Sequence, residues 1–390
     1  MIEKIVLRKR EEDRITAGHP WVYDNEIFTK EIKSEAGGVV DVFSSKNRFL
    51  GRGFYNPHSK IRVRILSKNQ EEINREFLQQ RILSAAAYRK AIGVFDFCRL
   101  VYAEADLLPG LIIDKFDTYF SIQTLSFGMD KRLDDIVSVL RENFDVAGIY
   151  ERNDATVRKL EGLEEKSGFI GNPFETKIKV KENGLEFYAD FAEGQKTGYY
   201  FDQRENHAAI APFVKNKNVL DAFSYTGGFG LHALKYGASG VISVDISENA
   251  IAELGRNAEL NGLTDGLTTK CENVFDYLKN EVNENKRFDT IILDPPPFCK
   301  SRSALKQAYK GYKEINLRAL QMLGPGGYLV TCSCSFHMTP ELFLHMLKDA
   351  AADTGKTLRI AEQRIQAKDH PVLLGFEESL YLKCIIARVI

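Results

Sequence analysis

VLDAFSYTGGFG, residues 219–230, runs an apolar stretch into a glycine-rich turn and then into a helix starting near Leu231. A strand that ends in an acid and feeds such a turn reads as the ligand-binding corner of an open α/β sheet, where ligands sit at the carboxyl ends of strands. Gly227, Gly228 and Gly230 permit a tight turn and a close backbone approach with no Cβ in the way. The spacing is not the GxGxxG of dinucleotide enzymes. At the strand end stands Asp221, whose carboxylate is suited to accept from an ammonium or a ribose hydroxyl. A glycine-rich turn without a ligand is the plainer alternative.

Outward from this corner the pattern repeats. NVLDAF, GVISVD, TIILDPP and YLVTCSCS are apolar runs separated by helical stretches, which specifies a parallel sheet with helices on both faces. TLRIAEQRI and LYLKCIIARVI read as late strands forming an antiparallel edge. The second strand ends in Asp245, where folds of this kind bind ribose hydroxyls. Beyond the third strand, Asn273, Val274 and Phe275 stand where an adenine could be bracketed by a polar group and an apolar one, with core packing the alternative for Phe275.

The fourth strand ends in DPPPF, residues 294–298. Proline removes a ladder donor and fixes φ, so the strand must stop in a rigid wall that exposes Asp294 to the cleft. The fifth strand, after GPGG at 324–327, carries Cys332 and Cys334. Residues two apart share a face if the strand stays regular, and a thiol of lowered pKa is a good nucleophile toward an electron-poor ring carbon. Burial in the core is the alternative for either cysteine. Lys300, Arg302, Lys306, Lys310 and Lys313 follow DPPPF among aromatic residues, which suits RNA phosphates and stacking and equally suits a solvated helix face.

Upstream, residues 1–68 read as short strands: EKIVLRK, GGVVDVFSS, FLGRGFYN and KIRVRILS. A small β-barrel fits them. They carry 14 Lys and Arg against 9 Asp and Glu in a chain whose net charge is −1, so the basic excess is local. A helix is expected from residue 71, a hairpin turning at Lys115 to Thr118, an amphipathic helix around Leu133–Leu140, and a second hairpin tipped by Glu182, Asn183 and Gly184. The expected domains are 1–70, 71–180 and 181–390.

With 390 residues, 44% hydrophobic and 27% charged, the composition is that of a globular chain. It has no apolar run of about 18 residues or more, and MIEKIVLRKREEDRI lacks the apolar core of a signal peptide. A cytoplasmic protein without membrane association is expected. The six cysteines contain no CxxC pair, which argues for reduced thiols and no metal.

Together these residues resemble class I S-adenosylmethionine-dependent methyltransferases, and more closely the RlmI-like family of large-subunit ribosomal RNA cytosine-C5 methyltransferases. GHPWVY at 18–23 resembles part of a PUA domain, an RNA-binding barrel, and EGQKTGYYFDQREN (193–206), DAFSYTGGFG, DPPPF and TCSCS follow in the family's order. The resemblance implies an α/β fold: a Rossmann-like methyltransferase domain preceded by a PUA-like barrel and a mixed α+β segment. It implies S-adenosylmethionine held by Asp221, Phe223, Tyr225, Thr226, Gly227, Gly228, Asp245, Asn273, Val274 and Asp294. It implies a flipped-out cytosine of RNA, 23S rRNA by family, attacked by Cys334 with Cys332 second, while Asp294 hydrogen-bonds the base. Lys196, Tyr199, Asp202, Arg204, Pro295, Pro296, Phe298 and Lys300 are the implied substrate contacts, and a homodimer is compatible. Many cytosine-C5 RNA enzymes carry a second cysteine immediately after DPP; here that position is Pro297, so the group that expels the thiol is not assigned. An amino-group methyltransferase, a small-molecule methyltransferase and a non-catalytic ribosome-assembly factor are the rival readings.

Overall fold

A computed structural model describes residues 2–194, 197–299 and 301–390. Lys196 and Lys300, two of the expected substrate contacts, lie outside the described residues. The chain divides into two compact units built from separated segments. The first comprises Met1–Val180, Ala189–Phe201 and Lys368–Ser379; the second comprises Lys181–Tyr188, Asp202–Ala367 and Leu380–Ile390.

In the first unit, β1 (Glu3–Val6), β2 (Trp21–Tyr23), β3 (Val39–Phe43), β4 (Phe49–Tyr55) and β5 (Ile61–Ser67) form a sheet of order β1-β3-β4-β5-β2. An antiparallel bridge between Leu7 and Ile27 joins the chain just beyond the two edge strands, which closes the sheet into a barrel and leaves little open edge. A second sheet has the order β10-β9-β8-β7-β6, with β6 (Phe97–Tyr102), β7 (Leu111–Phe116), β8 (Tyr119–Thr124), β9 (Gly148–Asn153) and β10 (Lys166–Phe169). β8 and β9 are parallel, so a crossover must join them, and the amphipathic helix Leu133–Asn143 provides it. The hairpin turn is tighter than its sequence suggests: β7 runs through Lys115 and Phe116, and Asp117 turns with φ 57°. Phe54 and Leu66 share one core with Phe77 and Ile82 of helix Arg75–Ala91 and with Ile113 and Phe120. Arg64 bridges Glu104 and Glu161 at 3.0 and 2.8 Å. Residues 1–70 and 71–180, read above as two domains, are thus packed in one unit.

A hairpin follows, β11 (Lys177–Glu182) and β12 (Leu185–Asp190). Asn183 and Gly184 both have positive φ, 48° and 77°, the geometry of a tight two-residue turn. Glu182 is the last strand residue and not part of the turn.

The second unit is built on seven strands: β13 (Asn218–Ala222), β14 (Gly240–Asp245), β15 (Leu267–Cys271), β16 (Phe288–Leu293), β17 (Leu323–Ser333), β18 (Leu358–Arg364) and β19 (Lys383–Val389). Their order is β15-β14-β13-β16-β17-β19-β18. The first five are parallel, and β19 runs antiparallel to both β17 and β18. Strand order reverses between β13 and β16, so the cleft opens at their carboxyl ends. Side chains alternate between two cores. Leu220, Ala222, Ile291, Leu293 and Leu329 face the layer that includes helices Val274–Asn283, Leu305–Met322 and Pro340–Asp353. Val219, Ile292, Val330, Cys332, Cys384 and Ile386 share the other core with Ile210, Phe229 and Ala233. Among the described residues no helix is long and apolar enough to cross a membrane.

Because Leu220 is fully buried on the central strand one residue before Asp221, Leu220→Ala should cost about 3 kcal/mol of stability. A denaturant titration that follows the second unit's transition checks this; an unchanged midpoint would contradict the packing described.

Candidate active site

β13 delivers Asp221 to the cleft, but its carboxylate is turned inward. Oδ2 accepts from Gly230 N at 2.9 Å and from Ser243 Oγ at 3.4 Å. This ties the strand end to the first turn of helix Gly228–Lys235. Burial pushes the Asp221 carboxyl up to about 7, against the lowering effect of the Gly230 amide and of His207. Asp221 Oδ1 and Ser224 Oγ are buried with no partner among the described residues.

The turn after β13 is strained at residues other than glycine. Phe223 and Tyr225 have φ of 65° and 46°, a conformation that costs non-glycine residues free energy and clusters at functional sites. Asp245 holds it: Oδ2 accepts from Tyr225 N and Oδ1 from Ser247 N, both at 2.9 Å. Asn257 adds a bond to the Thr226 carbonyl at 3.0 Å. Phe223, Tyr225 and Thr226 are half-buried.

The glycines answer to the protein's own packing. A Cβ on Gly228 would lie 2.6 Å from His207 Cε1, and one on Gly230 would lie 2.6 Å from Ser243 Oγ and 2.7 Å from Asp221 Oδ2. Only Gly227, with φ 94°, needs glycine for its backbone conformation. The space predicted to admit a ligand at Gly228 and Gly230 is filled by side chains.

Behind this turn lies a buried cluster that the sequence reading missed. Glu182 Oε1 is 2.6 Å from His207 Nδ1 and 3.8 Å from His232 Nε2. Burial works to raise the Glu182 carboxyl, but the charges of His207, His232 and Arg204 prevail and leave it below its ordinary range. Burial likewise opposes the His207 imidazolium, and Glu182 overcomes it, so His207 is raised. His232 is pushed down to about 4 by burial, and its Nδ1 donates to the Gly228 carbonyl at 2.6 Å. The sequence signal was Glu182 at an inward position of β11, two residues after buried Val180.

Asn273 and Val274, expected beside an adenine, also serve the fold itself. The Asn273 side chain caps helix Val274–Asn283 by accepting from Phe275 N and Asp276 N, and Val274 belongs to the core beside Leu220 and Val244. Phe275 is instead the exposed ring, 6.3 Å from Phe223 and 5.8 Å from Phe298 between centroids. Phe298 stacks onward against Tyr312 at 4.7 Å.

At the end of β16, Asp294 Oδ1 accepts from Gln203 Nε2 at 2.9 Å. Gln203 in turn accepts from Asn206 Nδ2 at 2.7 Å, and Asn206 Oδ1 accepts from Arg364 at 2.9 Å. Pro295 is buried, Pro296 and Pro297 are exposed, and Phe298 is half-buried. The Cys334 thiol, also half-buried, lies 3.9 Å from the Pro295 carbonyl, just beyond the end of β17.

Cys332 does not join it. Strand alternation turns Cys332 with Val330 into the buried layer, where it is 0% exposed. Burial and the neighbouring Cys384 push its thiol well up. Because β17 ends at Ser333, the two cysteines do not share a face. Cys299 is buried too, its thiol on the Ser301 carbonyl at 3.2 Å.

Of the expected substrate contacts, Asp202 and Arg204 are buried; Asp202 accepts from Tyr381 and Arg204 adds its charge beside Glu182. Tyr199, 8% exposed, belongs to the first unit and packs on Phe201. Arg302, Lys306 and Lys310 are exposed, whereas Lys313 pairs with Asp353 at 2.8 Å.

Residues 163–373 match the S-adenosylmethionine-dependent methyltransferase family. The chain belongs to that family. A PUA-like domain matches residues 5–68 of this methyltransferase. It is 39% identical over 399 residues to "Ribosomal RNA large subunit methyltransferase I" of Pseudoalteromonas atlantica, covering all of both chains. The protein of the same name from Tolumonas auensis is 40% identical, also over the whole of both. Its fold is that of a SAM-dependent methyltransferase from Streptococcus mutans, with TM-score 0.83, 22% identity and complete coverage of both chains. A methyltransferase structure complexed with SAH superposes with TM-score 0.86 at 23% identity, again over all of both. S-adenosylmethionine is the methyltransferase's cofactor, and the corner after β13 fits it: two buried acceptors, Asp221 Oδ1 and Ser224 Oγ, face no donor of their own among the described residues.

Asp221 gives the methyltransferase a pH signature. Its carboxyl is raised from 3.8 to about 7, so the folded state binds the proton more tightly than the unfolded one. Its contribution is fully present below the unfolded value and is lost as pH rises through about 7. The cofactor-free protein should lose stability across that window, and Asp221→Asn should remove this part of the slope. Thermal melts of both proteins over that pH range check it; identical slopes would contradict the assignment.

Proposed function

We propose that this methyltransferase adds a methyl group to carbon 5 of a cytosine in ribosomal RNA, 23S by the names of its relatives, with Cys334 as nucleophile. One observation carries the proposal: the half-buried Cys334 thiol stands 3.9 Å from the Pro295 carbonyl, beside Asp294. A methyltransferase acting on an amino group needs no thiol at that place. The third proline also moves Phe298 one position beyond the aromatic of an Asp/Asn-Pro-Pro-aromatic motif.

In this reading Asp245 would hold the ribose of the cofactor, Asp221 and the turn 223–228 its amino-acid end, and Phe275, with Asn273 and Val274, its adenine. The bound cofactor supplies an electrophilic methyl group. The Cys334 thiolate attacks carbon 6 of a flipped-out cytosine, and the displaced π electrons enrich carbon 5. Asp294, fixed by Gln203, hydrogen-bonds the base and stabilises the charge that collects on it. Once carbon 5 is methylated it gives its proton to a base, and the electrons left behind re-form the ring double bond as sulfur departs. The PUA-like barrel with its basic excess binds RNA phosphates.

The experiment is methylation of ribosomal RNA from a strain lacking the gene, using labelled S-adenosylmethionine. Wild type should yield 5-methylcytosine. Cys334→Ala should lose at least about a thousandfold in rate, as removal of a nucleophile does, while Cys332→Ala stays active. Label persisting with Cys334→Ala would overturn the thiol mechanism, and no label on any RNA would overturn the substrate class.

A further inference from the structure

Lys383 opens β19, opposite Ser333 of β17. Its side chain is buried, with the residue 4% exposed. Nζ donates to the backbone carbonyls of Ser335 at 2.7 Å and Tyr381 at 2.8 Å. Two carbonyls are neutral partners. An ammonium withdrawn from water normally demands an anion, since its desolvation otherwise goes uncompensated. Among the described residues no carboxylate lies within ion-pair distance of Lys383, and its bond to the Ser335 carbonyl sets Nζ beside the residue that follows Cys334, whose thiolate favours the ammonium. Burial lowers the Lys383 ammonium to about 8, and the Cys334 thiolate works in the opposite direction.

The surroundings make that pairing specific. From helix Leu305–Met322, the Tyr312 hydroxyl bonds Ser335 Oγ at 2.9 Å, and burial raises it so that it stays neutral. Cys332, on β17, is held as a thiol by burial. Asp294, at the end of β16, precedes the proline whose carbonyl touches Cys334. Lys383, bonded to the carbonyl of the residue after Cys334, is a cation placed beside it.

We propose that Lys383 is a positioning residue for the methyl transfer: its ammonium, pinned between the Ser335 and Tyr381 carbonyls, holds Cys334 as the thiolate. The thiol proton leaves to solvent, and no redox change is involved. The role in catalysis rests on Cys334 being the nucleophile, whereas the pairing itself does not. It also accounts for a lysine at an inward position of a strand whose next residues, Cys384 to Ala387, are all core.

The test is alkylation of the intact protein with iodoacetamide over about pH 6–10, quantifying modification at Cys334 and at exposed Cys271 by peptide mass spectrometry. In wild type the half-point for Cys334 should lie at least about one pH unit below that for Cys271. Lys383→Met should raise it by about one unit, a tenfold loss of thiolate near neutrality, leaving Cys271 unmoved; Lys383→Arg should restore it. A wild-type half-point for Cys334 at or above that of Cys271 overturns the pairing without any variant, which covers the case in which Lys383→Met does not fold. An unchanged half-point in folded Lys383→Met overturns it too. A low half-point beside an active Cys334→Ala enzyme upholds the pairing and removes the nucleophile. A high half-point beside an inactive Cys334→Ala enzyme does the reverse.

Discussion

One backbone hydrogen bond, from Gly230 N to Asp221 Oδ2, fixes the corner on which the active site is assembled. It joins the end of the central strand to the start of a helix, and so sets the path of the five residues between them. Those residues include Phe223 and Tyr225 in left-handed backbone conformations, which persist only where the surroundings over-determine them. Asp245 supplies the second anchor through Tyr225 N, and Asn257 a third through the Thr226 carbonyl. Glycine at 230 follows directly, since any Cβ there would strike the carboxylate that makes the bond.

The same economy of space explains the buried histidines. His207 occupies the room that a side chain at 228 would need, and Glu182 raises its imidazole above the ordinary value against the effect of burial. A buried Glu182–His207 pair inside the fold thus backs a turn that must stay rigid. Its desolvation is costly unless the geometry is good, and at 2.6 Å it is.

Period and punctuation made the sheet legible. Apolar runs ending in Asp221, Asp245 and Asp294 are β13, β14 and β16, and the two late runs form the antiparallel edge. Cys334 and Asp294 could be singled out as candidates because ligands of an open α/β sheet meet it at the strand ends. Properties set by partners far apart in the chain could not be read. The sequence does not say that β17 stops at Ser333, so Cys332 and Cys334 were expected on one face, with Cys332 as the second choice of nucleophile. Asn273 could not be told as a helix cap from a ligand contact, because the same oxygen serves either role. Lys383 looked like an ordinary strand end, since the Ser335 carbonyl that its ammonium bonds lies nearly 50 positions away. Asp202 and Arg204 drew attention as polar residues, yet burial commits them to Tyr381 and Glu182.

The strand order has a further consequence for how this protein comes into being. β19 lies between β17 and β18, although both are synthesised before it. Until residues 383–389 emerge, β17 lacks its outer neighbour and β18 has nothing to pair with. Pairing across such separations is slow, because chain entropy must be lost before the contacts form. During translation the second unit therefore presents an apolar strand edge, the kind of surface that chaperones shield and that seeds aggregation. The insertion that covers this edge is also the step that sets Lys383 opposite Ser333 and onto the Ser335 carbonyl, so the end of β17 takes its final form only as the sheet is completed.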